Sequence, residues 1–320
     1  MFSLNFARGA TEGLGIGVTD KWTTRGWLSV VSNCTEKRWP MIGTEACPRA
    51  THPAMCRARH YLGMALGILI ASAAPTLAKC PANADAEQWV DGGELCLAMA
   101  VAGTKDAGPS PTLVVLVHGD ASSGGPADYL LPFAKSFTRK GVVTVSLLRP
   151  GYEDKAGRKS EGSHNGRRDS YTAQNVDAVG AAIQSLKTRL RARRVIAMGH
   201  SGGAAIIGVL AGRRPGLIDA AVLVSCPCDI PSWRAARGRG EWRQSLSPHS
   251  YAAKVPKQTT VVAITGSEDD NTSPRLARTY ISSLTGHGGS ARFETAPGAG
   301  HRFNGPLAAS AKGALEAFLK

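Results

Sequence analysis

From residue 79 onward the chain alternates short, continuously apolar runs with longer runs whose apolar positions recur three and four residues apart. Residues 112–117 (Thr112 to Val117) and 195–198 lack the polar alternation of a half-exposed strand, which marks strands buried on both faces. Residues 142–148, 220–225 and 260–265 read the same way. Helical spacing covers 133–140 and 172–191, clearest in Val176, Val179, Ala182, Ile183, Leu186 and Leu190. Strand and helix in alternation predict an α/β fold: a mainly parallel central sheet with helices on both faces. Residues 94–101 are expected as an antiparallel edge strand, 292–295 as the last strand and 307–319 as the closing helix.

Two stretches interrupt this rhythm. Residues 149–171 are rich in Gly, Arg, Ser and Asp and read as a long loop, of the length that is either functional or mobile. Residues 229–256 carry Trp233, Trp242 and the arginines Arg234, Arg237, Arg239 and Arg243, and fall where an insertion roofs a parallel sheet. They are expected to form a lid-like segment within one domain spanning 79–320.

Upstream of that domain, Met55 to His60 is basic, residues 61–74 are apolar, and Pro75 to Ala78 ends on small residues. This is the layout of a signal peptide over 55–78, cleaved after Ala78. Its apolar part falls short of the roughly 20 residues that span a bilayer, so no membrane anchor is expected after cleavage. A signal has to lie near the start of the translated chain. Residues 1–54 are therefore read as a mis-called upstream segment or disordered leader, with translation starting at Met55. The expected destination is the periplasm or the medium.

Cysteine usage fits that compartment. Of seven cysteines, Cys80, Cys96, Cys226 and Cys228 follow the expected cleavage point, an even number that allows two disulfides. Cys80 with Cys96 is the favoured pair, since both flank the first strands. Only Pro227 separates Cys226 from Cys228, so a bond there is expected to be strained, and free thiols at a strand end are the alternative. The formal charge is +14 over the 320 residues, and 30 basic against 20 acidic side chains from Lys79 onward leave +10. Such an excess reflects arginine-rich composition or an affinity for anionic substrates, wall polymers or headgroups. No phosphate-binding glycine loop or zinc-finger spacing accompanies it, and nucleic acid is not an expected partner.

The chemistry-bearing residues cluster at predicted strand ends. Gly199-His200-Ser201-Gly202-Gly203 directly follows the strand at 195–198 and precedes a small, apolar helix. A G-x-S-x-G there is a nucleophile elbow, in which a strained serine needs small neighbours so that strand and helix can close around it. A serine hydroxyl needs a base and a carboxylate that orients the base. His301, after Pro297-Gly298-Ala299-Gly300, is the candidate base. Glu268, Asp269 and Asp270 follow the strand at 260–265, and Asp269 is the first choice of acid with Asp270 second. The backbone N–H groups of Gly202 and of Asp120, after His118-Gly119, are the candidate oxyanion donors. His118 and His200 are expected to order their loops.

Jointly, His118-Gly119, Arg149-Pro150-Gly151-Tyr152, the pentapeptide around Ser201, Gly266 with Asp269, and Gly300-His301 resemble the α/β-hydrolase superfamily, in the chain order Ser, Asp, His. Within it the chain is most similar to dienelactone-hydrolase-like and prolyl-oligopeptidase-like catalytic domains. Ser201 stands where dienelactone hydrolases proper carry cysteine, and no propeller is expected before the domain. The resemblance implies a serine hydrolase of the carboxylesterase kind, needing no metal or organic cofactor and acting on a small ester or a short peptide. A peptidase or amidase with the same triad is the alternative. A non-catalytic protein that binds anionic polymer on a hydrolase scaffold is the other. Oligomeric state is left open.

Overall fold

The computed structural model describes residues 80–320. The expected leader and signal peptide lie outside the described residues. Eight strands form one sheet in the order β1-β2-β4-β3-β5-β6-β7-β8, from β1 (Trp89–Asp91), β2 (Cys96–Ala102), β3 (Thr112–Val117), β4 (Val142–Leu147), β5 (Arg194–His200), β6 (Ala220–Val224), β7 (Thr260–Gly266) and β8 (Ser290–Ala296). From β4 to β8 every neighbouring pair is parallel, and only β1 with β2 and β2 with β4 run antiparallel. The fold is that of an α/β hydrolase.

The period of two along each strand divides the core. In β3, Leu113, Val115 and Val117 pack on one face with Val176, Val179 and Ile183 of α2 (Ala173–Arg189), Ile206 and Leu210 of α3 (Gly202–Arg213) and Leu276 and Tyr280 of α5 (Pro274–Gly286). Val114 and Leu116 face the other way, with Ile196 and Met198 of β5, towards Ala134 of α1 (Leu131–Lys135) and Leu307, Ala311 and Leu315 of α6 (Gly305–Phe318). Both faces of the central strands are thus dry, which is why their sequences show no polar alternation.

Several expectations need correction. The strand expected at the edge over 94–101 is present as β2 but is not the edge, because the three-residue β1 pairs outside it. That strand is too short to leave a periodic signal. Helix α1 ends at Lys135, and the chain then turns through Phe137, whose ring is buried and T-stacked on Phe133. The stretch 149–171 is tied down rather than loose. Ser160 Oγ donates to the Leu148 carbonyl and accepts from the Ala98 N–H, Asp154 pairs with Arg158, and Arg149, Tyr152 and Tyr171 are buried.

Cys80 and Cys96 are joined as expected, with their Cα atoms 4.9 Å apart. Cys226 and Cys228 are joined as well, which corrects the free-thiol alternative. Their Cα atoms lie 5.0 Å apart across Pro227, within ordinary disulfide reach.

Glycine decides the junction between β5 and α3. A Cβ on Gly199 would overlap the Gly203 backbone, and one on Gly203 would overlap the Val117 carbonyl of the neighbouring strand. Neither obstacle is a flexible side chain. Gly199→Ala is therefore expected to cost about 3 kcal/mol or more. Gly313 in α6 faces open space, and Gly313→Ala is expected to gain about 0.5–1 kcal/mol. Urea unfolding of the two variants should move the midpoint in opposite directions.

Candidate active site

Sheet topology gathers the predicted residues at one edge. The carboxyl ends of β3, β5, β7 and β8 lead into His118, Ser201, the acidic turn and the His301 loop, as parallel sheets place their sites. Ser201 links β5 to α3 with φ 52° and ψ −117°, a backbone conformation that L-residues rarely adopt. Its Oγ lies 3.0 Å from Nε2 of His301. On the far side of that ring, Nδ1 lies 3.0 Å and 3.1 Å from Oδ2 and Oδ1 of Asp269. The Nδ1 proton is donated to the carboxylate, which leaves Nε2 free to accept from the serine hydroxyl.

Asp269 is the acid brought to His301. Its Oδ1 accepts the N–H groups of Asn271 (3.0 Å) and Thr272 (2.8 Å), and Thr272 Oγ1 stands 2.8 Å from Oδ2. Burial pushes its carboxyl up, but the hydrogen bond and charge of His301 and the Thr272 N–H outweigh that, so it sits below the usual carboxylate range. Asp270 is exposed and meets the rest of the site only through its backbone carbonyl, which accepts from Arg237. Thr272 was missed in the sequence, although a hydroxyl three residues after an aspartate is a recognisable turn signal.

The Asp120 loop is anchored by its side chain. Asp120 accepts from Arg149 Nη1 at 2.8 Å and from the Tyr171 hydroxyl at 2.6 Å. Arg149 is 1% exposed, donates through Nη2 to Ser170, and lies 4.9 Å over the Tyr152 ring. A Cβ on Gly202 would collide with this pair, so residue 202 must be glycine for the two loops to approach. Neither the Asp120 nor the Gly202 N–H donates a hydrogen bond among the described residues. Both are available to a ligand. The motif Arg149-Pro150-Gly151-Tyr152 flagged this region, yet the partner of Arg149 is 29 residues away and invisible in sequence.

Two further imidazoles are fixed by their partners. His118 donates from Nδ1 to the Gly119 carbonyl (2.7 Å) and accepts at Nε2 from the Arg149 N–H (3.0 Å). In a second chain, the Gly119 N–H donates to the Tyr129 hydroxyl (2.7 Å), which donates to His200 Nδ1 (2.6 Å). His200 Nε2–H then donates to the His301 carbonyl (3.0 Å). This relay ties the loop after β3 to the loop after β8. Nothing in the irregular segment around Tyr129 announces its role.

Ser201 opens onto a pocket of about 750 Å³ lined by Tyr129, His200, Trp233, Trp242, Asn271, His301 and Phe303, among others. The segment expected as a lid supplies Trp233, from α4 (Ile230–Ala236), and Trp242, whose rings stand 5.1 Å apart and nearly perpendicular. Trp233 Nε1 donates to the Asn271 carbonyl at 2.8 Å. Trp233 also belongs to the core beneath, and the half-buried Trp242 packs against it.

Burial, aided by the Arg149 charge, lowers His118 to about 3, and burial, aided by the His301 charge, lowers His200 to about 4. Each is neutral when folded and protonates near 6.5 when unfolded, so the unfolded chain binds the extra protons. Stability is expected to be intact above about pH 6.5 and to fall by about 3 kcal/mol per imidazole by about pH 4. Urea unfolding across this window checks it, and His200→Gln should remove about half of the pH dependence.

The prolyl oligopeptidase family model matches residues 134–318. No curated protein matches the sequence. Among solved structures, Est1E from Butyrivibrio proteoclasticus, determined with ferulic acid bound, matches at TM-score 0.57 and 16% identity, covering 72% of this chain and 97% of its own. Acylaminoacyl peptidase from Pyrococcus horikoshii also reaches TM-score 0.57 at 16% identity, but the match spans 72% of this chain and only 40% of the peptidase. The thermophilic esterase Est2 from Thermogutta terrifontis matches at TM-score 0.51 and 17% identity, over 70% of this chain and 86% of that one. These likenesses are of fold. With the family model spanning more than half of its length, the chain belongs to the prolyl oligopeptidase family of serine hydrolases.

Proposed function

We propose that this protein is an exported serine hydrolase that cleaves carboxylic esters through an acyl-enzyme. The observation that carries the reading is the line from Ser201 Oγ to His301 Nε2 and from His301 Nδ1 to Asp269, both hydrogen bonds 3.0 Å long, opening onto a pocket beside two unengaged backbone N–H groups. Ser201 attacks the carbonyl carbon as His301 Nε2 takes its proton, and Asp269 stabilises the imidazolium that forms. The N–H groups of Asp120 and Gly202 receive the oxyanion, each lowering the barrier by about 3 kcal/mol. His301 then protonates the leaving alkoxide. Water enters, gives its proton to His301, and the second tetrahedral intermediate collapses to release the acid and restore Ser201.

A peptidase with the same machinery is the second reading, favoured by the family and by the acylaminoacyl peptidase fold. A pocket that grips a peptide ammonium needs a free carboxylate. Among the described residues the one lining carboxylate, Asp120, is engaged by Arg149 and Tyr171. That supports the ester. Export is supported by the two disulfides, and no helix among the described residues is long and apolar enough to cross a membrane.

A fluorophosphonate probe should label Ser201 in the folded protein. Ser201→Ala should abolish labelling and lower ester turnover by about 10⁴-fold or more, and Asp269→Asn by about 10⁴-fold. Full turnover by Ser201→Ala would sink the reading. Faster cleavage of an aminoacyl anilide than of a matched ester would shift it to the peptidase.

A further inference from the structure

The wall of the pocket is charged with one sign. Arg167, Arg168, Arg234, Arg239 and Arg302 line it around Ser201, and none forms an ion pair among the described residues. Asp120 is neutralised by Arg149, so it offsets none of them.

Two of these arginines are held rigidly. Arg167 donates to the Ala121 and Gly125 carbonyls and lies 5.4 Å over the Tyr152 ring. Arg234 stacks 4.9 Å over Trp242 and 5.6 Å over Trp233, and its Nε donates to the Gly240 carbonyl at 2.9 Å. Its two Nη groups have no acceptor among the described residues, which leaves the fork that binds carboxylate or phosphate oxygens unoccupied. Burial lowers the Arg234 pKa, and the like charges of Arg239, Arg237 and Arg168 lower it further, against a smaller opposing pull from the Asp169 carboxylate. Crowding cations this way is unfavourable in the free protein, and a bound anion relieves it.

We propose that the natural substrate is an anionic ester, whose carboxylate or phosphate is bound by Arg234 with Arg168 and Arg239 while Ser201 attacks the ester carbonyl. The proposal rests on the ester-hydrolase reading. Trp233 and Trp242 supply the apolar wall beside the anion for the carbon skeleton that links it to the ester. The fixed positive field also raises the local concentration of such esters, most strongly at low salt.

Two matched pairs of esters test this and locate the charge. Mono-4-nitrophenyl glutarate against 4-nitrophenyl butyrate places the carboxylate on the acyl side. The butyrate ester of 4-hydroxybenzoate against that of methyl 4-hydroxybenzoate places it on the leaving group. In at least one pair kcat/KM is expected to favour the anion by about tenfold or more, mainly through KM, and less at 0.5 M salt than at 0.05 M. Arg234→Gln combined with Arg239→Gln should cut that ratio by about fivefold or more, and Arg234→Lys should restore part of it. The exposed Arg239→Gln alone should reduce the ratio even if the double variant fails to fold. Turnover of neutral esters without an anionic advantage in either pair, or an advantage that survives the arginine substitutions, overturns this proposal alone. No turnover in any pair together with no phosphonate labelling of Ser201 overturns the ester-hydrolase reading and this one with it.

Discussion

The serine at position 201 can point out of the sheet only because its backbone is held at φ 52°, and the surrounding architecture exists to keep it there. The strain is of order 1–3 kcal/mol. It is offset by burial on every side: β5 between β3 and β6, α3 buried nearly along its length, and glycines at 199 and 203 that let backbone touch backbone. The Ser201 N–H donates to the Val224 carbonyl of the neighbouring strand, so the turn is stitched into the sheet it interrupts. A side chain at either flanking position would drive strand and helix apart and release the strain by moving the hydroxyl.

Around that fixed point the other loops are oriented by polar groups taken out of water. The Arg149 and Asp120 pair is costly to bury and holds its place because the Tyr171 hydroxyl, Ser170 and the Tyr152 face satisfy most of what remains. Arg149 Nε is left without a partner. Removing either member would strand a buried charge, which is why the two loops behave as one unit. The Tyr129 and His200 relay does for the His301 loop what the ion pair does for the Asp120 loop. His200 must be neutral to play that part, since one ring nitrogen accepts from a phenol and the other donates to a carbonyl.

The roof joins the core to the pocket. Trp233 and Trp242 pack with the buried cluster beneath α4 and also form part of the wall around Ser201, so the shape of the pocket is coupled to the packing of the domain. The same two rings carry Arg234, and through it the charge of the pocket is set by aromatic stacking rather than by a carboxylate. A long basic side chain stacked on tryptophan keeps its charge free for a ligand.

The sequence by itself determined the order of strands from β3 to β8 and the helices α2, α3 and α6 among them, because each central strand is dry on both faces, α2 carries one apolar stripe and α3 is small and apolar throughout; α4 and α5 emerged only in the structure. It determined Ser201 and His301 as candidates too, since a strained turn demands glycines at set spacing and a loop after the last strand demands flexibility. Asp269 and Asp270 were separated only by the tertiary structure: which of two adjacent carboxylates turns inward depends on the Asn271 and Thr272 N–H groups that receive it. Tertiary contact also decided the Cys226 to Cys228 bond, the three-residue β1, the ordering of residues 149–171 and the Tyr129 relay. Periodicity records which face of an element is buried. It carries no record of partners 29 to 101 residues away, and those partners fix where each polar group points.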